Sequence, residues 1–358
     1  MTTTELIDRP GRVRTGEELD VASIDAFLKA GDPTLTGTPE VRQFAGGASN
    51  LTYLLSYPGR DLILRRPPFG HKAKSAHDMV REARVMQALR PVYPYVPAVA
   101  AVCQDQGVLG CDFYVMERIR GIIPRQDLPP GLSLTPDETR RLCLSVIDRL
   151  IELHSIDPAA AGLGALGRGE GYVRRQIEGW SERYRAVRTA DAADFETVMA
   201  WLAERMPAGE SAIRLIHNDF RFDNVVLDPD NPMSVIGVLD WEMATLGDPL
   251  MDLGNSLAYW VQADDDPTFL ALRRQPTHLP GMLTRAEVVA YYGERTGLPT
   301  GAMDFYLVYG LFRLAVIVQQ IYYRFAQGHT TNPQFAGFGK VARYLEKRCL
   351  AAIAQAKP

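Results

Sequence analysis

The chain changes texture near Thr135, and that change constrains its fold more than any other feature. Upstream, short apolar runs at 41–44, 51–57 and 62–65 read as strands, separated by turn-forming residues at 46–50 and 58–61. The pattern predicts a helix at about 76–89 and two further strands at 99–103 and 113–119. Near the start, Thr15-Gly16-Glu17-Glu18 matches a capping box and predicts a short helix ending at Gly31. Downstream, Thr135-Pro136-Asp137-Glu138 is a second capping box, with proline at a helix position where its missing N–H costs little. Leu142, Val146, Leu150 and Leu153 then recur at helical spacing. Further helices are predicted at 172–188, 194–206, 250–261, 285–295 and 303–327, with a last one reaching about 354; strand-like runs at 225–227 and 235–239 interrupt them. A β-rich first third ahead of a mainly helical remainder predicts an α+β, two-lobed architecture rather than alternating βαβ units. The expected division is 1–35 for an N-terminal tail and helix, 36–118 for a small lobe and 119–358 for a large one.

Composition narrows the partners. With 358 residues the chain exceeds one core of average size. A net charge of -4 argues against nucleic acid, whose phosphates call for a basic face. The four cysteines show no C-x-x-C spacing, so neither a disulfide framework nor a zinc site is expected. The first residues lack the apolar core of a signal peptide, and no run reads as long and apolar enough to span a bilayer. A cytoplasmic protein with no membrane partner is the expectation; the sequence does not give an oligomeric state.

The segment 215–227 carries the chemistry. It places Asp219 five residues before Asn224, ahead of an apolar strand. Sixteen residues further on, Asp240 ends a second apolar strand in Val238-Leu239-Asp240-Trp241-Glu242. Phosphoryl transfer needs such a set: a carboxylate to position the attacking hydroxyl and hard oxygen ligands for a magnesium ion that bridges phosphates. Read alone, Asp219 and Asn224 could also be the cap of a turn.

His217, Asp219 and Asn224 resemble the H-x-D-x-x-x-x-N loop of the aminoglycoside phosphotransferase family, a branch of the protein-kinase-like superfamily. Asp240-Trp241 resembles its metal loop, and Gly247-Asp248-Pro249-Leu250-Met251-Asp252-Leu253 its G-D-P-x-x-D-L segment; the resemblance runs over roughly 36–330. It implies a bilobal protein-kinase-like fold that uses ATP and Mg2+, with Asp219 as catalytic base, His217 supporting the loop, and Asn224 and Asp240 as metal ligands. Gly46, Gly47, Ser49 and Asn50 would form the loop covering the phosphates, where glycine lets backbone N–H groups approach closely. Arg65 stands where a kinase carries its nucleotide lysine. It either does that work or points outward. Glu82 would be its helix partner or a solvated residue, and Met116, Glu117 and Ile119 would line the adenine site or be plain core. Asn218 departs from the glycine usual between the loop His and Asp, although asparagine tolerates left-handed backbone angles.

The acceptor is expected to be a small hydroxyl-bearing molecule. The stretch from Leu64 to Gly70, with Arg81-Glu82, is similar to the subfamily related to kinase-like domains fused to acyl-CoA dehydrogenases. That resemblance implies a hydroxyacyl-CoA, its phosphates met by Arg65, Arg66, Lys72 and Lys74 unless these are surface charges or nucleotide ligands. Aromatic residues of the helical part (Tyr172, Trp180, Tyr184, Tyr259, Trp260, Tyr322, Tyr323) fit an apolar acceptor better than a charged sugar. An aminoglycoside or other amino-alcohol phosphotransferase, drawing on Asp264-Asp265-Asp266, and a nucleotide-binding pseudokinase are the alternatives.

Overall fold

The computed structural model describes residues 6–44, 50–69, 78–330 and 332–356. In chain order the elements are α1 (Val21–Gly31), β1 (Glu40–Gln43), β2 (Leu51–Tyr57), β3 (Arg60–Arg66), α2 (Met79–Leu89), β4 (Val99–Cys103), α3 (Gln106–Leu109), β5 (Phe113–Glu117), α4 (Pro136–Ser155), α5 (Tyr172–Val187) and α6 (Glu196–Glu204). There follow β6 (Arg214–Ile216), β7 (Val225–Leu227), β8 (Val235–Val238), β9 (Thr245–Gly247), α7 (Pro249–Ala258), α8 (Pro267–Ala271), α9 (Arg285–Thr296), α10 (Met303–Ala326) and α11 (Phe338–Gln355). By packing, Met1–Ser133, Ala161–Leu163 and Phe222–Ala244 form one unit, and Leu134–Ala160, Gly164–Arg221 and Thr245–Pro358 the other. Packing and sequence order therefore do not coincide, because the chain returns to the first unit at Phe222.

In the first unit an antiparallel sheet runs β1-β2-β3-β5-β4. The hairpin between β2 and β3 closes through Pro58-Gly59, where Gly59 takes φ 80, a backbone angle that suits glycine. Alternation gives the sheet two faces. One buries Tyr53, Leu55, Leu62, Leu64, Phe113 and Val115 against Ile24 and Leu28 of α1. The other carries Leu54 opposite Ile63, Thr52 opposite Arg65, and Met116 and Tyr114 in register beside them. β7 and β8 pair as a separate antiparallel ladder in the same unit.

The Thr15 box does not start α1. Asp20 is the N-cap, its carboxylate accepting from the Ser23 amide. The preceding residues are held elsewhere: the Arg14 amide donates to Gln43 Oε1, and the Glu17 carbonyl accepts from the buried Tyr53 hydroxyl. The Thr135 box forms as the sequence predicts, opening the 20-residue α4 with Pro136 in its first turn.

In the second unit α7 is buried along its whole length. It packs on α10 at a glycine pair: a Cβ at Gly310 would lie 2.2 Å from the Gly254 carbonyl oxygen, so any larger residue would force the helices apart. One sequence expectation is corrected here. The stretch Thr300–Ala326 is long and apolar enough to cross a bilayer, but 61% of its apolar window is buried inside the protein. Arg313 within it is also buried, its guanidinium 5.3 Å from the Trp180 ring centre. α10 is a core helix.

Candidate active site

Asp240 sits in the turn that follows β8. The Leu239 amide donates to the Asn224 carbonyl at 2.8 Å, tying the two loops together, and Asp240 adopts φ 69, unusual for a residue with a side chain. Trp241 anchors the turn. It is fully buried, its indole N–H donates to the Val238 carbonyl at 2.9 Å, and its ring meets Tyr93 edge-on.

Around Asp240 the first unit assembles an ion-pair cluster. Arg65 Nη2 donates to Asp240 Oδ1 at 3.0 Å and Nη1 to Glu82 Oε1 at 2.9 Å, while Glu242 Oε2 lies 3.9 Å from the same guanidinium. Asn50 Nδ2 donates to Glu242 at 2.8 Å. Arg81, a second guanidinium nearby, donates to the Glu242 and Ala244 carbonyls. Burial pushes the Glu82 carboxyl above the ordinary carboxylate range, with the Arg65 charge opposing that push. The outward-facing reading of Arg65 fails: the residue is buried and paired with the α2 glutamate. Gly46, Gly47 and Ser49 lie outside the described residues.

The expected adenine-side residues divide. Met116 is buried on the sheet face that carries Arg65, opposite Ile63. Glu117 turns its carboxylate to Arg60 at 3.1 Å, and its amide is taken by the Ala98 carbonyl. Ile119 packs over β8, where a Cβ at Gly237 would fall 2.8 Å from its Cδ1.

These residues fit a hard cation and phosphate. Asp240 and Asn224 offer oxygens from two loops that are bonded to each other, the donor type that Mg2+ takes. Three carboxylates share one guanidinium, and the buried Asn50 Oδ1 and Arg65 Nε have no protein partner, an acceptor and a donor left for a ligand or water.

The loop carrying Asp219 belongs to the second unit and is organised by Asp252. That fully buried carboxylate accepts the His217 amide at 2.7 Å, the Asn218 amide at 2.8 Å and His154 Nε2 at 3.1 Å. His154 in turn meets the Tyr292 hydroxyl through Nδ1 at 2.6 Å. The Asp219 amide donates to His217 Nδ1 at 3.2 Å. Asn218 takes φ 65, and its Oδ1 accepts from the Tyr172 hydroxyl and Asn255 Nδ2. Asparagine here supplies both the left-handed backbone and a side-chain anchor that glycine could not. The Asp219 carboxylate is about one-fifth exposed and pairs with Arg221 at 3.2 Å, whose guanidinium lies 4.5 Å from the Tyr259 ring centre.

Asp252, Arg221, Glu242 and Arg81 receive no site role from the sequence. Asp252 lies in the G-D-P-x-x-D-L segment, and its spacing from Asp248, one turn along a helix, was the available signal. The aromatic expectation is corrected for Tyr172, Trp180, Tyr184 and Trp260, which are buried core, while the Tyr322 hydroxyl is bonded to Asp191 and Tyr259 lies under Arg221. Arg66 is also buried, stacked 3.7 Å over Phe69, and Lys72 and Lys74 lie outside the described residues.

Asp252 gives a prediction for stability. Burial opposes its charge, yet the His154 hydrogen bond, His154 and His217 together with the loop amide hold its carboxyl below the ordinary range. A carboxyl depressed by folding contributes stability that is complete above the unfolded value, near 4, and is lost as pH falls toward the lower folded value. Asp252→Asn puts an amide donor among donors and is expected to destabilise by about 3–5 kcal/mol at pH 7. Urea unfolding across pH 3–7 checks this, since the gap between variant and wild type should narrow at the acid end.

A five-stranded antiparallel sheet with a buried arginine–glutamate pair, followed by helices around an Asp252-held loop, defines a small-molecule phosphotransferase of kinase-like fold. Residues 40–288 match the phosphotransferase enzyme family APH, and the chain belongs to that family. Mouse acyl-CoA dehydrogenase family member 10 is 34% identical over 308 residues, which is 86% of this chain and 28% of that protein. The chain therefore spans less than a third of that relative. A crystal structure of a protein from Ralstonia eutropha superposes with a TM-score of 0.80 at 30% identity, covering 95% of this chain and all of its own. An aminoglycoside phosphotransferase solved with AMP-PNP and hygromycin B shares the fold at a TM-score of 0.57 and 17% identity, covering 93% of this chain and 98% of its own.

Proposed function

We propose that this chain transfers the γ-phosphoryl group of ATP to the hydroxyl of a hydroxyacyl thioester such as a hydroxyacyl-CoA. The observation that carries the kinase part is the Arg65–Glu82–Asp240 cluster, which sets a guanidinium suited to phosphate beside a carboxylate suited to a hard metal. The AMP-PNP in the distant relative supports ATP as donor. In this reading Asp219 takes the proton of the acceptor hydroxyl as its oxygen bonds to the γ-phosphorus. The bond from that phosphorus to the β–γ bridging oxygen breaks, and ADP leaves. Asn224 and Asp240 would hold Mg2+, which would neutralise charge on the phosphates. Arg65 orients phosphate oxygens through its planar fork. His217, Asn218 and Asp252 fix the Asp219 loop, which is where a small displacement would be felt most.

The acceptor class rests on charge. A polycationic sugar favours unpaired carboxylates. In the second unit a cavity of about 580 Å³ is lined by Asp264, Asp265 and Asp266, but also by Arg285 and Arg348. Asp265 pairs with Arg285 at 2.7 Å and Arg348 at 2.9 Å, and Asp266 pairs with Arg348 at 3.0 Å. Leu257, Phe269, Leu307 and Leu311 give the same cavity an apolar wall. With Asp304 and Lys347 also in its lining, the cavity is mixed rather than uniformly acidic, which suits an acyl chain with polar groups, and the name of the mouse relative points the same way. The test is ADP release from ATP with Mg2+ in the presence of hydroxyacyl-CoA thioesters or kanamycin. Stimulation by the thioesters alone is expected. Robust kanamycin phosphorylation with no thioester turnover contradicts the acceptor and leaves the kinase reading standing, whereas ATP binding with no turnover of any acceptor favours a pseudokinase.

A further inference from the structure

We infer that Arg65 and the divalent cation are alternative partners of Asp240, so that the metal is admitted together with the nucleotide phosphates rather than before them. The inference rests on the reading of Asp240 as a metal ligand. Asp240 Oδ1 accepts a charge-assisted hydrogen bond from Arg65 Nη2 at 3.0 Å, on a guanidinium whose other amino group is fixed by Glu82 at 2.9 Å. Arg65 is inside the fold, with a side chain 11% exposed, and Glu82 beside it is 1% exposed. A cation bound to Asp240 would meet the guanidinium charge at short range in a poorly screened setting, so the two compete for the carboxylate.

The cluster holds the means of exchange. Arg65 has five donors in a rigid fork, a geometry that matches phosphate as well as carboxylate. A small swing of the whole fork about the Cγ–Cδ and Cδ–Nε bonds carries Nη2 from Asp240 to a phosphate oxygen while Nη1 stays within reach of Glu82. Glu242, 3.9 Å from the guanidinium and bonded to Asn50, keeps a negative charge beside Arg65 through the exchange. A lysine, with a single compact ammonium on a shorter reach, could not bridge the two carboxylates in the same way. This gives a physical reason for arginine at a position where kinases carry lysine.

The test is binding of Mn2+, a stand-in for Mg2+ read by loss of the free-ion electron paramagnetic resonance signal, with no nucleotide present. Two variants keep the net charge of the cluster: Arg65→Lys, and the double variant R65Q/E82Q, which removes the ion pair without leaving a buried charge unpartnered. Both are expected to bind Mn2+ about tenfold tighter than wild type or more, the scale of one charge-assisted hydrogen bond released. Adding Asp240→Asn should abolish the gain. Should the two variants disagree, or Arg65→Lys not fold, the double variant decides. Binding no tighter than wild type, with Asp240→Asn still weakening it, overturns the exchange alone. If Asp240→Asn leaves Mn2+ binding unchanged in every background, the metal-ligand reading itself falls, and the exchange with it.

Discussion

Asp240→Asn is expected to reduce Mg2+-dependent turnover of ATP by a factor on the order of 10³ or more. A metal that neutralises transferring phosphate oxygens is worth several kcal/mol, and each 1.36 kcal/mol is tenfold in rate. The fold should survive. The Asp240 side chain is 31% exposed, an asparagine oxygen can still accept from Arg65, and asparagine tolerates the left-handed backbone observed at φ 69. Coupled ADP assays over a range of Mg2+ concentrations, with thermal melting as a control, check both statements. Near wild-type turnover in a folded variant would remove Asp240 from the metal site.

Asp219→Asn should lower kcat by about 10²- to 10⁴-fold, the usual contribution of a positioned general base. The KM for ATP should change far less, because the nucleotide contacts proposed here lie on β3, α2 and the two loops of the first unit. Arg221 complicates the variant, since it loses a carboxylate partner at 3.2 Å. Stacked on Tyr259, it retains a second anchor. Steady-state kinetics with ATP varied at saturating acceptor separates the two parameters. Equal losses in kcat and ATP affinity would mean that Asp219 binds metal or nucleotide instead.

Much of the fold was legible because its rules are local. The Thr135 box, the β2–β3 hairpin and the long apolar α10 each follow from residues within a few positions of one another. Failures came where distant partners decide. At the N-terminus two capping sequences compete, and the Gln43 and Tyr53 contacts hold residues 14–17 and leave the start of α1 to Asp20. β6 and β9, three residues each, are too short to show a period of two and exist only because they pair with each other across the chain. The same division holds at the candidate site. The spacing of Asp219, Asn224 and Asp240 is readable, as is an arginine at the end of an apolar strand. That Arg65 bonds a carboxylate 175 residues away, or that Asp252 gathers two loop amides and a histidine from α4, depends on tertiary packing. Tyr172, Trp180, Tyr184 and Trp260 misled for a related reason: their size suited them to the core.

The most direct test of the central claim follows the phosphoryl group itself. The wild-type chain is incubated with Mg2+, ATP carrying a labelled γ-phosphate, and a hydroxyacyl-CoA, and the acceptor is analysed by mass spectrometry. The account predicts one labelled phosphoryl group on the acceptor hydroxyl, with an equal amount of ADP, and almost none with Asp219→Asn. Label appearing only in free phosphate, or transfer undiminished in that variant, would contradict it.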